Sequence, residues 1–257
     1  MNITKVKNLN ENKLQVFQQM RDNAFNELNS FVADSPKVVN ILLQSDLELK
    51  SILATKEYFE EFQELIDSRE NIICYEATKE QMQTLVGHKI HHNCMLHGVR
   101  AKESSLYELG NNIVMLDNIT SNENVGSIAR TMAGFGVDSY LLPKESPHPY
   151  GRRSLRVSMG YMSRLKYCIY SDIIQTIKEL QEDGYKVYAA ELTPEAIGLQ
   201  KVDVNDKWVL LLGSEGHGIS QDILDICDEV VYIEMAEDVK SFNVSVAASV
   251  MMYKFIN

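Results

Sequence analysis

Polar residues stand at three places where an apolar run of the sequence ends. Asn124 and Arg130 follow I-V-M-L, Glu215 follows W-V-L-L-L, and Ser241 and Asn243 follow V-V-Y-I. A guanidinium such as that of Arg130 holds a phosphate or polarises an oxygen. The glycines of G-S-E-G-H-G let the backbone approach a ligand closely, and Glu215 adds an acceptor. These residue types predict a site that handles a phosphate or a reacting oxygen.

A simpler interpretation of G-S-E-G-H-G stays open, because three glycines also suit a tight turn with no ligand. The sequence has no G-x-G-x-x-G after a predicted strand. Ordinary dinucleotide binding therefore has little support.

The apolar runs that carry these residues predict a parallel sheet. From Asn112 onward they are I-V-M-L, S-Y-L-L, K-V-Y-A-A, W-V-L-L-L-G and V-V-Y-I. Continuous apolar strands separated by helical patterns are typical of a sheet that is covered on both faces. We therefore expect a doubly wound α/β domain whose ligands lie beyond the carboxyl ends of the strands. A helix beginning near Asn124 carries that residue and Arg130 on neighbouring turns.

The first third of the chain predicts a second, smaller α/β domain. Its strands are S-I-L-A-T, N-I-I-C-Y-E and the edge strand M-L-H-G-V, with Y-F-E-E-F-Q-E-L-I as a helix. An amphipathic helix is predicted from Glu11 to Val32, with four inward residues: Leu14, Phe17, Phe25 and Leu28. Residues 101–111 are the predicted linker, so the expected domains are 1–105 and 106–257.

Bulk composition excludes several classes of protein. The chain has 257 residues, 45% of them hydrophobic, and a formal net charge of -11, which argues against non-specific coating of nucleic acid. No apolar run approaches the roughly 20 residues that span a bilayer. Four scattered cysteines without a C-x-x-C pair, and an N-terminus without an apolar core, predict a reduced, cytoplasmic setting.

A local basic stretch runs from Lys144 to Lys166. It contains six Lys or Arg residues against one Glu, together with two tyrosines. Arginines close to aromatic rings suit phosphate contacts and base stacking, so Arg152, Arg153 and Arg156 are candidate contacts to nucleic acid. An exposed, solvated loop is the alternative.

Histidines and a cysteine cluster before the predicted linker, but we do not interpret them as a metal site. The cluster comprises His88, His91, His92, Cys94 and His97. Its spacing matches no familiar zinc pattern. We expect no bound metal.

The chain finishes on a helix that is apolar nearly all round. Ser241 to Phe255 reads S-F-N-V-S-V-A-A-S-V-M-M-Y-K-F, and its one charge is Lys254. A surface helix would show a charged face, so this helix is predicted to be buried. Ser241 or Asn243 would cap its N-terminus.

Three segments together resemble the motifs of the SpoU, or TrmH-like, family of RNA ribose 2'-O-methyltransferases in the SPOUT superfamily. They are N-V-G-S-I-A-R-T, G-S-E-G-H-G-I-S and I-E-M-A-E-D-V-K-S-F-N-V-S-V-A-A. The resemblance runs from about Asn112 to the C-terminus and includes Y-G-R-R-S-L-R-V-S-M-G. The N-terminal third is similar, more weakly, to a ribosomal-protein-like RNA-binding domain.

This resemblance implies a trefoil-knotted C-terminal domain, a homodimer formed through it, and S-adenosylmethionine as methyl donor without a metal. By position, the donor would be bound by Gly213, Ile233, Met235 and Phe242. Arg130 would be the main catalytic residue, with Asn124, Glu215, Ser241 and Asn243 orienting the substrate. The implied substrate is structured RNA, ribosomal RNA ahead of transfer RNA. The basic stretch predicts that Arg152, Arg153 and Arg156 contact its phosphates.

The third segment departs from the family pattern at three positions. Glu234 and Glu237 stand where the family usually has Pro and Gly, and Phe242 stands where it has Leu. A non-catalytic RNA-binding or assembly protein that keeps the fold therefore remains an alternative, and a base methyltransferase of the superfamily is a weaker one. The set of five polar residues favours the enzyme, because a binding module has no need of all five.

Overall fold

The computed structural model describes residues 2–18, 29–214, 216–239 and 241–257. The chain forms two compact units. Unit 1 comprises Met1–Ala101 with His148–Ser163, and unit 2 comprises Lys102–Pro147 with Arg164–Asn257.

Unit 1 is built around a five-stranded mixed sheet. Its strands are β1 (Ile3–Lys5), β2 (Ser30–Asp34), β3 (Leu49–Ala54), β4 (Ile73–Glu76) and β5 (Cys94–Val99). Its first helices are α1 (Gln15–Gln18), α2 (Pro36–Leu43), α3 (Lys56–Glu61), α4 (Gln63–Asp67) and α5 (Lys79–Val86). The strand order is β1-β4-β3-β5-β2, with β5 antiparallel to both of its neighbours.

Unit 2 is built around a seven-stranded sheet in which every described pairing is parallel. Its strands are β6 (Asn112–Leu116), β7 (Ser139–Pro143), β8 (Lys166–Tyr170), β9 (Lys186–Ala190), β10 (Ile197–Gly198), β11 (Trp208–Leu212) and β12 (Glu229–Tyr232). The remaining helices are α6 (Asn122–Phe135), α7 (Arg152–Val157, which belongs to unit 1), α8 (Ile173–Glu182), α9 (Gln221–Leu224) and α10 (Val244–Ile256). The order β10-β12-β9-β11-β6-β7-β8 confirms the predicted parallel sheet.

The predicted helix from Glu11 to Val32 is wrong at its end, because Ser30–Asp34 forms β2. All five residues of β2 are buried, and the strand pairs with β5. The spacing of apolar residues along the sequence reports only on local structure, so it does not reveal pairing with a strand far away in the chain. Leu14 and Phe17 are fully buried as predicted, whereas Phe25 and Leu28 lie outside the described residues.

The same strand corrects the interpretation of M-L-H-G-V as an edge strand. This segment lies in β5, which is an interior strand between β3 and β2. Its outer partner, β2, overlaps the end of the predicted helix, so the sequence pattern does not reveal this pairing. The predicted helix Y-F-E-E-F-Q-E-L-I is divided into α3 and α4 at Phe62, whose backbone leaves the helical region.

Strands β8 and β10 of unit 2 are not among the strands predicted from the sequence. Strand β8, with the sequence K-Y-C-I-Y, begins at Lys166, the last residue of the basic stretch. Strand β10 has two residues, too few to produce a recognisable pattern. Both lie at the edges of the sheet, outside the strands that carry the candidate residues.

The C-terminal helix α10 is buried on one face, which corrects the prediction of burial all round. Its buried residues are Val244, Ala248, Met251, Met252 and Phe255. Four apolar residues on the other face are substantially exposed: Val246 at 46%, Val250 at 40%, Tyr253 at 63% and Ile256 at 42%. The small residues allow close packing against α6, where the hydroxyl oxygens of Thr131 and Ser249 lie 3.1 Å apart. Within one chain, that contact covers a single side of the helix.

Among the helices of the described residues, none has the length and apolar character needed to cross a membrane.

Candidate functional site

Four neighbouring strands of unit 2 end at the same edge of the sheet. In the order β12-β9-β11-β6, Val231 is paired with Ala190, Ala190 with Leu212, and Leu212 with Leu116. Because the strands are parallel, the residues that follow them emerge side by side. The edge therefore gathers segments that are far apart in the sequence.

Helix α6 begins at this edge and carries the first candidate residues. The Ser121 side chain caps the helix by accepting the Asn124 backbone N–H at 3.4 Å. The Asn124 side-chain oxygen in turn accepts a hydrogen bond from the Asn243 amide at 3.1 Å. Two predicted site residues that are 119 positions apart are thus in direct contact.

Asn243 also forms the N-cap of α10, as predicted for Ser241 or Asn243. Its Oδ1 accepts the Ser245 backbone N–H at 3.0 Å. One side chain therefore caps α10 with its oxygen and reaches α6 with its nitrogen.

Arg130 lies on α6 with its side chain exposed, next to the buried Ala129. Within the described part of the chain it makes no hydrogen bond or ion pair, so its guanidinium is available to a ligand. It does not line the cleft described below. Glu215, the other charged candidate, lies outside the described residues.

A cleft of about 320 Å³ opens at the ends of β9, β11 and β12. It contains all four residues predicted to bind the donor, together with one predicted orienting residue: Gly213, Ile233, Met235, Phe242 and Ser241. Three apolar residues of α10 also line it: Val244, Ala247 and Met251. This volume and this mixture of apolar and backbone groups are typical of small-molecule sites.

The glycines after β11 form a compact turn that closes one wall of the cleft. Gly218 has a positive φ of 63° and donates its N–H to the Ser214 carbonyl at 2.9 Å. A Cβ on Gly213 would lie 2.8 Å from the Gly218 carbonyl carbon and 2.6 Å from Cγ1 of Ile219. Glycine is therefore required at Gly213 by packing and favoured at Gly218 by backbone conformation.

Glu191, which the sequence analysis missed, holds this turn from the end of β9. Its Oε2 accepts the Ile219 backbone N–H at 2.9 Å, and its Oε1 accepts the Leu192 backbone N–H at 3.1 Å. Glu191 lines the cleft. Glu191 directly follows the predicted strand K-V-Y-A-A, and this position could have identified it as a candidate site residue.

Asp117, also missed, is a buried carboxyl group at the end of β6. Burial raises its pKa, while the Asn118 amide donates to its Oδ1 at 3.0 Å. Its backbone N–H bonds the Leu212 carbonyl at 2.8 Å, which extends the pairing of β6 with β11. Asp117 stands immediately after I-V-M-L in the sequence. Residues that follow a predicted strand are the ones expected to lie near a bound ligand.

The two glutamates that depart from the family pattern do not line the cleft within the described residues. Glu237 is exposed, and its φ is not among the positive values of the described chain. The Glu234 carboxylate lies against the backbone at Gly198, where an added Cβ would approach it to 2.4 Å. Neither side chain therefore occupies the space of a ligand.

In unit 1, two of the three candidate RNA-binding arginines converge on Asp34. Arg152 Nε donates to Asp34 Oδ2 at 2.9 Å, and Arg156 Nε donates to Oδ1 at 3.0 Å. Burial alone raises the pKa of Asp34, but the hydrogen bonds and charges of the two arginines outweigh it and leave the pKa below its usual value. Arg153 lies on the same helix, α7, and is exposed.

The histidine and cysteine cluster borders a smaller cleft of about 160 Å³ in unit 1. The lining includes His88, His91, His92 and Cys94 beside Asp34 and the two arginines. Burial lowers the pKa of His92 and raises that of Cys94. In the ranges that the structure describes, no group of three or more His, Cys, Asp or Glu residues is arranged to hold a metal ion.

The profile of the SpoU rRNA Methylase family matches residues 111–253, more than half of the chain and all of the segments that form the larger cleft. The chain belongs to this family. Its relatives within the SpoU family include a protein of Staphylococcus haemolyticus named as a TrmH-family tRNA/rRNA methyltransferase. The two are 34% identical over 142 residues, which cover 55% of this chain and 57% of the relative. The chain thus spans about half the length of the curated relatives it matches.

Three solved methyltransferase structures share the fold over nearly the whole chain. The AdoMet-bound rRNA methyltransferase of Sinorhizobium meliloti superimposes with a TM-score of 0.83 at 19% identity, covering 98% of this chain and 97% of that one. The SpoU methyltransferase AviRb of Streptomyces viridochromogenes gives 0.80 at 16% identity, covering 96% of each. A structure named RNA 2'-O ribose methyltransferase gives 0.79 at 17% identity, covering 99% and 98%. The α/β fold of this chain therefore matches the fold of these three structures.

Proposed function

We propose that this protein transfers a methyl group from S-adenosylmethionine to a ribose 2'-hydroxyl of structured RNA, with ribosomal RNA ahead of transfer RNA as substrate. The observation that carries the proposal is the cleft at the ends of β9, β11 and β12, which contains every residue predicted to bind the donor. The SpoU relatives support the reaction class, and the structure named for ribose 2'-O methylation supports the target atom.

The residues of the cleft fit a donor of this kind. Gly213 and Ile233 offer backbone groups beside the apolar side chains of Met235 and Phe242, a combination that suits an adenosine group. S-adenosylmethionine, when bound, supplies an activated methyl group carried on a positively charged sulfur. The AdoMet-bound Sinorhizobium meliloti structure, which has the same fold, supports this choice of donor.

Arg130 holds the phosphate of the target nucleotide and stabilises negative charge that develops on the ribose oxygen. Its exposure on α6 leaves it accessible to a large RNA substrate. Because guanidinium groups stay protonated in proteins, Arg130 acts through charge and position. As the bond from the ribose oxygen to the methyl carbon forms, the bond from that carbon to sulfur breaks, S-adenosylhomocysteine leaves, and the ribose proton passes to water.

The polar residues around Arg130 orient the target ribose. The hydrogen bond between Asn124 and Asn243 fixes the start of α6 against the start of α10. Ser241 borders the donor cleft two residues earlier. Glu215, outside the described residues, completes the proposed set.

RNA is held by the first domain, proposed as 1–105, and by Arg152, Arg153 and Arg156, while 106–257 forms the methyltransferase domain. Asp34 offsets part of the charge of Arg152 and Arg156 and fixes their direction. Arg153 is an exposed residue of α7 and contributes a further phosphate contact.

We also propose a homodimer through unit 2 and a trefoil knot that includes the chain between β12 and α10. The apolar residues on the open face of α10 stand at intervals of four, three and three: Val246, Val250, Tyr253 and Ile256. This spacing forms one continuous helical stripe. In a symmetric dimer, the same stripe of a second protomer would pack against this one and shield both from water.

Mapping ribose methylation across total RNA from cells with and without the protein tests this function. We expect one or a few 2'-O-methylated nucleotides to disappear with the gene and return with the wild-type protein. RNA binding without any change in methylation would instead support the non-catalytic RNA-binding protein.

A further inference from the structure

Glu191 stands between the two strand ends that carry predicted donor-binding residues. It follows β9, which lies between β12 and β11 in the sheet. Ala190 is paired with Leu212 on one side and with Val231 on the other. The carboxylate therefore emerges level with Gly213 and close to the start of the segment that contains Ile233. Glu191 accordingly lines the cleft.

The carboxylate is held in place by backbone groups. Its two oxygens accept the N–H groups of Ile219 and Leu192, at 2.9 Å and 3.1 Å. The fit against Gly218 is close, since a Cβ there would lie 2.3 Å from Oε2. Each carboxylate oxygen has more than one acceptor position, so each retains capacity for another donor. Glu191 is thus positioned before any ligand arrives.

Glu191 is also the one Asp, Glu, Lys, Arg or His among the described residues that line this cleft. The rest of the lining consists of apolar side chains, glycines, serines and a tyrosine. Because its oxygens have acceptor capacity beyond the two backbone N–H groups, this carboxylate can also accept hydrogen bonds from hydroxyl groups of a ligand in the cleft. Two oxygens at a fixed separation match two neighbouring hydroxyl groups, and acidic residues near the ends of parallel strands bind nucleotide riboses in this way.

We propose that Glu191 binds the ribose of the methyl donor by accepting hydrogen bonds from its 2'- and 3'-hydroxyls. The inference rests on the proposed function, because it assigns a role within the same cleft. Positioning of the Gly213–Gly218 turn and recognition of the ribose then depend on one side chain.

Isothermal titration calorimetry with four ligands tests the assignment. The ligands are S-adenosylmethionine, S-adenosylhomocysteine, and the 2'-deoxy and 3'-deoxy forms of S-adenosylhomocysteine. We expect the wild type to bind each deoxy form about 10-fold more weakly than S-adenosylhomocysteine, which corresponds to about 1.4 kcal/mol. In Glu191→Gln that preference should shrink to less than about 3-fold. Glu195→Gln, an exposed glutamate four residues later, is the matched control and should keep the full preference.

The outcomes separate the inference from the function on which it rests. Equal wild-type affinity for ribose and deoxyribose ligands overturns the role of Glu191 while leaving donor binding intact. A uniform loss of all four ligands in Glu191→Gln, with the preference retained, shows that Glu191 only supports the turn and also overturns the proposal. A loss confined to S-adenosylmethionine would assign the carboxylate to the sulfonium charge instead. No wild-type binding of either parent ligand would overturn the proposed function as well.

A second variant keeps the test decisive if Glu191→Gln does not fold. Glu191→Asp retains the charge but shortens the side chain by one methylene, which withdraws the carboxylate from the ribose. It should show the same loss of preference between ribose and deoxyribose. A full preference in folded Glu191→Asp contradicts the proposal.

Discussion

At the scale of single residues, the proposed role of Arg130 in methyl transfer can be tested separately from donor binding. It is exposed, makes no hydrogen bond or ion pair within the described residues, and lies outside the cleft lining. We therefore expect Arg130→Ala to bind S-adenosylmethionine within about 3-fold of the wild type while methyl transfer falls by about 100-fold or more. Arg130→Lys should restore little, because a point charge cannot reproduce the planar fork. Calorimetry and single-turnover methylation measure the two quantities, and full activity in either variant would remove Arg130 from the mechanism.

Asp34 gives a residue-scale prediction with a defined pH dependence. Its pKa is lowered in the folded protein, so its carboxylate adds stability above the pKa of the unfolded chain, about 3.9. That contribution is lost as the pH falls through the folded pKa. We expect Asp34→Asn to reduce the free energy of unfolding by about 1–3 kcal/mol at pH 7, a range lowered for the solvent exposure of Arg156.

Urea unfolding at pH 7 and at pH 3 checks this prediction. The difference between the wild type and Asp34→Asn should narrow at pH 3, because this pH lies below the usual pKa of about 3.9 and the unfolded chain then binds protons more readily than the folded carboxylate does. A difference of equal size at both pH values would show that the ion-pair cluster does not stabilise unit 1.

At the scale of elements, Asn243 joins the start of α10 to the start of α6. Asn243→Asp keeps an acceptor for the Ser245 N–H but removes the amide that donates to Asn124. Because Asp caps helices as well as Asn does, thermal stability should stay close to that of the wild type. Methyl transfer should fall by about 10-fold or more, since the Asn124 oxygen then faces a carboxylate.

Asn243→Ala is the companion variant, because it loses both hydrogen bonds. It should lower stability by about 1 kcal/mol and also reduce activity. Thermal unfolding and methylation rates distinguish the two variants. A fully active Asn243→Asp would mean that Asn243 serves only as a cap.

At the scale of the whole molecule, the open apolar stripe of α10 predicts self-association. A charge placed within it, as in Val250→Glu, should convert a dimer into a monomer at micromolar concentration because the charge would be buried at the interface. Light scattering measures the mass. The matched control is Ile174→Glu, which adds the same charge at an exposed apolar residue of α8 and should leave the dimer intact. A wild-type protein that is already monomeric would contradict the proposal.

The second prediction at the scale of the whole molecule concerns RNA binding, and a substitution of Arg153 tests it. Arg153→Ala should weaken binding and reduce the slope of log affinity against log salt by about 0.7 to 0.9, the value for one phosphate contact. Lys178→Ala removes the same charge from α8 and should leave the slope unchanged. An unaltered slope in Arg153→Ala would contradict the phosphate contact and would support the alternative that the basic stretch is exposed to solvent without binding RNA.

The larger sheet and its candidate site were predictable because they depend on local patterns. Continuous apolar runs predict five of its strands: β6, β7, β9, β11 and β12. The polar residues that follow three of these runs predict that the site lies at the carboxyl ends of the strands. The burial of Leu14 and Phe17 followed from helical spacing in the same way. Strand β2 was not predictable by this route, because its conformation depends on pairing with β5, more than sixty residues away.

By itself, the sequence determined which residues are chemically able to bind and react, and that parallel strands deliver them to one edge. Tertiary structure alone decided that Asn243 contacts Asn124, that Glu191 lines the same cleft as the residues predicted to bind the donor, and that Asp34 pairs with Arg152 and Arg156. It also decided that α10 is covered on one side only. The physical reason is that residue type and spacing report on neighbours along the chain, whereas these contacts depend on strand order and helix packing between segments far apart in sequence.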